Sequence, residues 1–201
     1  MEIHMDIWRK LTSKFSNSQN PVSQQSVTNK IQGAFSEKKS FSFTALPKNV
    51  NELKALPEAV MDDPFKTAAL TVCALCAFAE DRAAGIEMMN FLRGPRPLSP
   101  YEISFMKDRF MDGKTYIPRS YFNGATPEND YTPAKPYTVK VDSNQYSSLE
   151  NGNYMKLLIN SGGADSPRSV TLRKTGSGIW YLWEQTLLVD VRTPKSQDPW
   201  A

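Results

Sequence analysis

Cys73-Ala74-Leu75-Cys76 has the spacing used by redox pairs and by half of many zinc sites. A redox thiol needs a lowered pKa, from a helix N-terminus or nearby cations, and it needs access to a substrate. Val72, Ala77 and Phe78 instead surround this pair in an apolar stretch, and no second C-x-x-C follows. Buried thiols behave as small hydrophobes, so the expected role is packing, with no metal ligand and no cofactor. The single histidine, His4, removes Ser-His-Asp, Cys-His and multi-histidine chemistries from this chain.

Carboxylates come in two pairs, Asp62-Asp63 and Glu80-Asp81, which bracket the central apolar stretch. Paired acids perform acid/base work when burial separates their pKa values. On one helix, however, these pairs lie about 27 Å apart, too far to cooperate. Helix capping and a surface turn account for them, and no catalytic residue is assigned.

Three further features could bind. Gly162–Arg168 is a glycine-bearing loop whose backbone N–H groups could approach an anion that Arg168 clamps. It lacks the phosphate-loop spacing and is not followed by a helix, so a structured strand connection is the competing role. Trp180, Tyr181 and Trp183 lie on one short segment with Ile179, Tyr181 and Trp183 sharing a face. The stretch Tyr116–Tyr131 adds Arg119, Tyr121 and Phe122. The expectation is that Arg119, Tyr121, Phe122, Arg168, Trp180 and Trp183 line one cleft or patch, the arginines seeking a carboxylate or phosphate. The competing outcome is a second packed core.

The elements that must position these groups follow from pattern. The first forty residues stand apart. Ile7, Trp8, Leu11 and Phe15 recur at helical spacing, 16–29 has linker composition, and Val27, Ile31 and Phe35 repeat every four residues. Residues 1–40 are therefore expected to be a flexible or amphipathic arm, and 41–201 one domain. Residues 50–113 read as helices. Asn49 or Asn51 can cap the first, and Asp62 or Asp63 the second, with Pro64 at its first turn. Phe65–Ala79 is apolar almost all round. Gly94 suits a C-terminal cap, and Ser99-Pro100-Tyr101-Glu102 is a capping box.

Residues 114–136 show no periodicity and hold four prolines, but their aromatic residues predict packing rather than disorder. From 137 to 192 the pattern alternates. Strands are expected at Tyr137–Val141, Tyr154–Ile159, Val170–Arg173 and Ile179–Trp183, with a tight turn at Thr175–Gly178, and Leu187–Val191 is the candidate for a fifth strand. Helices followed by strands imply α+β, with N-terminal helices packed on one face of a four- to five-stranded antiparallel sheet.

The chain has 201 residues, 40% of them hydrophobic and 22% charged, which is globular composition. The longest apolar run, Ala68–Ala79, is too short for the ~20 residues of a bilayer span. Net charge is +3, with +4 in residues 1–50, −3 in 51–113 and +2 in 114–201. No run of Lys or Arg exceeds two, so no nucleic-acid partner is expected.

Gly124-Ala125-Thr126-Pro127-Glu128-Asn129-Asp130-Tyr131-Thr132-Pro133, Gly162-Gly163-Ala164-Asp165-Ser166-Pro167-Arg168 and the ending Lys195-Ser196-Gln197-Asp198-Pro199-Trp200-Ala201, with its Asp198-Pro199-Trp200-Ala201 motif, resemble an uncharacterised bacterial family, a domain of unknown function. The resemblance covers about residues 41–201 and implies a compact, bacterial cytoplasmic domain. It brings no activity, cofactor or site residue. The expected function is a non-catalytic binding or protein-interaction domain. The alternative is a small-molecule-binding enzyme with a pocket between the helices and the aromatic strand.

Overall fold

The structure, a computed structural model, describes residues 36–200. His4 and the two amphipathic stretches of the arm lie outside the described residues. The element order is β1 (Lys38–Phe43), α1 (Val50–Lys54), α2 (Pro64–Glu80), α3 (Arg82–Arg93) and α4 (Pro100–Arg109). Then come β2 (Tyr137–Asp142), β3 (Ser148–Leu149), β4 (Tyr154–Ile159), β5 (Arg168–Lys174) and β6 (Trp180–Gln185). The fold is α+β, with the helices packed on one face of a six-stranded antiparallel sheet of order β1-β2-β4-β5-β6, β3 pairing beside them with β4. No helix of the described residues is long and apolar enough to cross a membrane.

Each helix starts where a side chain can replace the missing intrahelical partner of a backbone N–H. Asn49 accepts from the N–H groups of Asn51 and Glu52, Asp63 from Phe65, and Asp81 from Ala83 and Ala84. Ser99 and Glu102 form the reciprocal capping box of α4. Asp62, the other cap candidate, pairs instead with Lys66 at 2.8 Å. Helix α2 is central, because 14 of its 17 residues are buried. Alternation does the rest. Val139, Val141, Leu157, Ile159, Val170, Leu172, Trp180 and Leu182 form the inner face against the helices. Thr138, Lys140, Lys156, Thr171 and Arg173 point to the opposite face.

Two expectations need correction, and the packing expected of residues 114–136 is found. The strand that completes the sheet is β1, which opens at Lys38, inside the span 1–40 expected to be an arm. Its Lys-Lys-Ser-Phe-Ser-Phe sequence carries only two large apolar residues and reads as a strand only once β2 is beside it. Leu187–Val191 is not a strand. Leu187 and Leu188 are adjacent and both buried, which a pleat cannot arrange on one face, and the segment is held by side chains described below. Residues 114–136 contain 3₁₀ turns at Lys114–Tyr121 and Pro127–Asn129, packed through Tyr116, Ile117, Tyr121, Phe122 and Tyr131.

Candidate functional site

The two tryptophans of β6 part company. Trp180 is on the inner face and 7% exposed; its N–H donates to the Met61 carbonyl and its own carbonyl accepts from the Thr67 hydroxyl. It is core. Two residue pairs later the register slips, since Leu172 faces Leu182 but Thr171 faces Glu184. Trp183 is the extra residue of this bulge, a device that re-aims a side chain and leaves a backbone group outside the ladder. Its carbonyl is taken up by Nη1 of Arg93 at 3.4 Å and Nη1 of Arg96 at 3.3 Å. Its ring lies on the outer face, with the Arg96 guanidinium 4.2 Å and the Arg173 guanidinium 4.8 Å from its centre, and Tyr154 meets it edge-on. Arg93, buried, also donates to Glu102 at 2.8 Å. Burial alone would raise the Glu102 pKa, but the Ser99 N–H and hydroxyl and the charges of Arg93 and Arg96 hold it below the usual value. The result is a clasp that ties α3 and α4 to the sheet edge.

Arg168 is likewise spent inside the protein. Its guanidinium donates to the carbonyls of Val189 (3.0 Å), Asp190 (2.8 Å) and Ser166 (2.8 Å). Tyr121 donates to the Leu187 carbonyl at 2.6 Å and Tyr131 to the Arg192 carbonyl at 2.7 Å. Burial pushes both phenols up, Tyr131 to about 12. These bonds satisfy the backbone of residues 187–192 in place of a β-ladder. The glycine-bearing loop joins the same assembly. A Cβ at Gly162 would collide with the Ala125 carbonyl, and one at Gly163 with the Tyr131 hydroxyl. The three motif segments thus meet as structural packing, with Ser196 N–H donating to Asp130 at 3.1 Å.

Arg119 is exposed and borders a hollow of about 110 Å³ with Cys76, Glu80 and Thr115. The six expected site residues therefore do not form one site; only Tyr121 and Phe122 come together at a cleft. The cysteines are buried and unpaired by any disulfide. Burial pushes the Cys76 thiol up to about 12 and Cys73 well above its ordinary value. Replacing either with alanine should cost on the order of 1 kcal/mol of packing. Native protein should label with a thiol reagent only after denaturant is added; rapid labelling of the folded protein, or stoichiometric zinc in purified samples, would contradict this.

A cleft of about 550 Å³ lies where the sheet forks. Strand β2 pairs with β4 only through Val141–Ile159 and Asp142–Leu158. Nearer its start the same edge takes the 3₁₀ segment instead: Phe122 bridges Val139, and the Asn123 N–H donates to the Thr138 carbonyl at 2.8 Å. Gly162 closes the gap, its N–H donating to the Ser120 carbonyl at 2.8 Å. Ser40, Asn123, Thr126, Lys140, Asp142 and Asn160 supply polar wall. Asp142 is engaged by Lys38 at 3.3 Å and by the Asn160 amide at 3.5 Å. Lys140 is exposed, and its ammonium makes no hydrogen bond or ion pair among the described residues. The alternation of Thr138 and Lys140 with Tyr137, Val139 and Val141 is legible in the sequence. What it faces depends on β1, 104 residues away along the chain.

Among the described residues no group of three His, Cys, Asp or Glu side chains is placed to hold a metal ion. No curated protein and no solved structure matches the chain significantly. Residues 45–195, which run from just after β1 through the side-chain-held segment 187–192, match the family described as Domain of unknown function (DUF6935), and the chain belongs to that family.

Proposed function

We propose that this domain is a non-catalytic binding module, of a bacterial cytoplasmic protein, whose ligand occupies the fork cleft. The chemistry of the cleft wall carries this reading. Acid/base catalysis needs groups whose pKa lies near the working pH. In this wall, burial displaces the Tyr121 phenol upward, away from neutrality, and its proton is given to Leu187. Burial alone would lower Lys39, but Asp63 and Glu37 outweigh it and raise it further. Asp142 is taken up by Lys38 and Asn160, and what remains are an ammonium, hydroxyls and amides, the groups that recognise and orient a ligand. The volume falls within the ~300–1,000 Å³ typical of small-molecule sites.

The competing enzyme reading needs a pocket between the helices and β6. That interface is filled by Trp180 and Leu182, with backbone and side-chain hydrogen bonds to Met61 and Thr67. Amide-shift mapping of the full chain against a panel of small metabolites tests the proposal. Binders are expected to move the amides of Asn123, Thr126, Lys140 and Asn160 and to be recovered unchanged. Chemical turnover of a bound compound, or shifts confined to another surface, would overturn it.

A further inference from the structure

We infer that the fork cleft takes a small hydroxylated anion, with the carboxylate or phosphate of a sugar-sized molecule held by Lys140 and its hydroxyls by Ser40 and Asn123. This rests on the cleft being the binding site. The charge balance of the wall comes first. Lys38 and Asp142 face one another across β1 and β2 and neutralise each other at 3.3 Å. Lys39 is committed to Asp63 at 2.6 Å and Glu37 at 3.1 Å. Among the described residues Lys140 is the lysine of this wall without an ion pair, so its positive charge faces the cleft with no counterion among them. Water solvates this ammonium in the free protein, and among ligand groups an anion makes the stronger, charge-assisted hydrogen bond to it.

The neighbours of Lys140 supply the rest of the class. Ser40 is its direct partner across the two strands, so their side chains share one face at the separation of a cross-strand pair. The Ser40 hydroxyl and the Asn123 amide have no partner among the described residues. Each offers both donor and acceptor capacity, which suits a hydroxyl. The Ser120 and Ser161 hydroxyls, by contrast, bond to one another at 2.7 Å and belong to the floor.

Two other ligand classes fit less well. A divalent cation would find one carboxylate, Asp142, already paired. Single-stranded nucleic acid needs exposed aromatic faces on which bases stack; the cleft's Tyr121 and Phe122 are each only 2% exposed.

The test uses the full chain and three probes of one skeleton: glucose 6-phosphate, glucuronate and glucose, titrated while amide shifts are followed. At least one of the two anions should move the amides of Lys140, Ser40 and Asn123, and the tighter of the two identifies which anionic group is preferred. Lys140→Gln should weaken that anion by about tenfold, as expected for loss of one charge-assisted hydrogen bond, and Lys140→Arg should restore part of it. Lys140 is exposed, so both variants should melt like the parent. Glucose binding in the cleft as tightly as the anions, or an unchanged anion affinity in Lys140→Gln, would overturn the anionic class while leaving the cleft as the site. Anion-induced shifts centred on Arg96 and Arg173, or none from either anion, would also overturn it. Whether the cleft is a site at all is then decided by the wider metabolite panel.

Discussion

Replacing Tyr131 with alanine should cost the domain about 4 kcal/mol, at the level of other large buried aromatic truncations. The side chain is fully buried, stacked on Tyr116 with ring centres 5.2 Å apart, and in contact with Gly163. Its hydroxyl also satisfies the Arg192 carbonyl. The backbone adds to the argument. Asp130 and Tyr131 both have positive φ, 52° and 54°, a conformation that bulky side chains adopt only when their surroundings impose it. Removing the ring removes what imposes it, and frees residues 187–192 at one of their anchors. Tyr131→Phe separates the contributions. It keeps the stacked ring and loses one hydrogen bond, for about 1 kcal/mol. Urea melts with unchanged slope measure both. A cost below ~1 kcal/mol for the alanine variant would show that the motif loops lie outside the cooperative core.

Gly85→Ala should destabilise by about 3 kcal/mol, although on an isolated helix the same change would stabilise by roughly 1 kcal/mol. The sign reverses because Gly85 is where α3 meets α2. A Cβ there would fall inside the backbone of Phe78, at its Cα and N atoms, with no flexible side chain to yield. The helices would have to separate, and α2 carries most of the core on its other sides. Such a loss is a large share of the ~5–15 kcal/mol by which a domain is stable. A denaturant midpoint equal to or above that of the parent would mean that the two helices can slide apart without disturbing the core.

The helix starts, the central position of α2, the burial of Cys73 and Cys76, the Thr175–Gly178 turn and the α+β class could all be read from residues in order. Each depends on neighbours a few positions away: a cap and the N–H it serves, a repeat that places apolar groups on one face, a glycine pair between alternating runs. Tertiary structure alone decided the rest. β1 became a strand through pairing with β2, far along the chain. Residues 187–192 kept strand-like composition but found their partners in Tyr121, Tyr131 and Arg168. An arginine in a glycine-bearing loop looks the same in sequence whether it faces an anion or three backbone carbonyls. The aromatic strand divided at a bulge that only the register with β5 reveals. The cleft itself arises where β2 and β4 diverge, and its unpaired Lys140 is defined by which cations nearby already have partners. Local pattern specifies which way a side chain points; what waits there is set by segments whose meeting depends on the free energy of the whole fold.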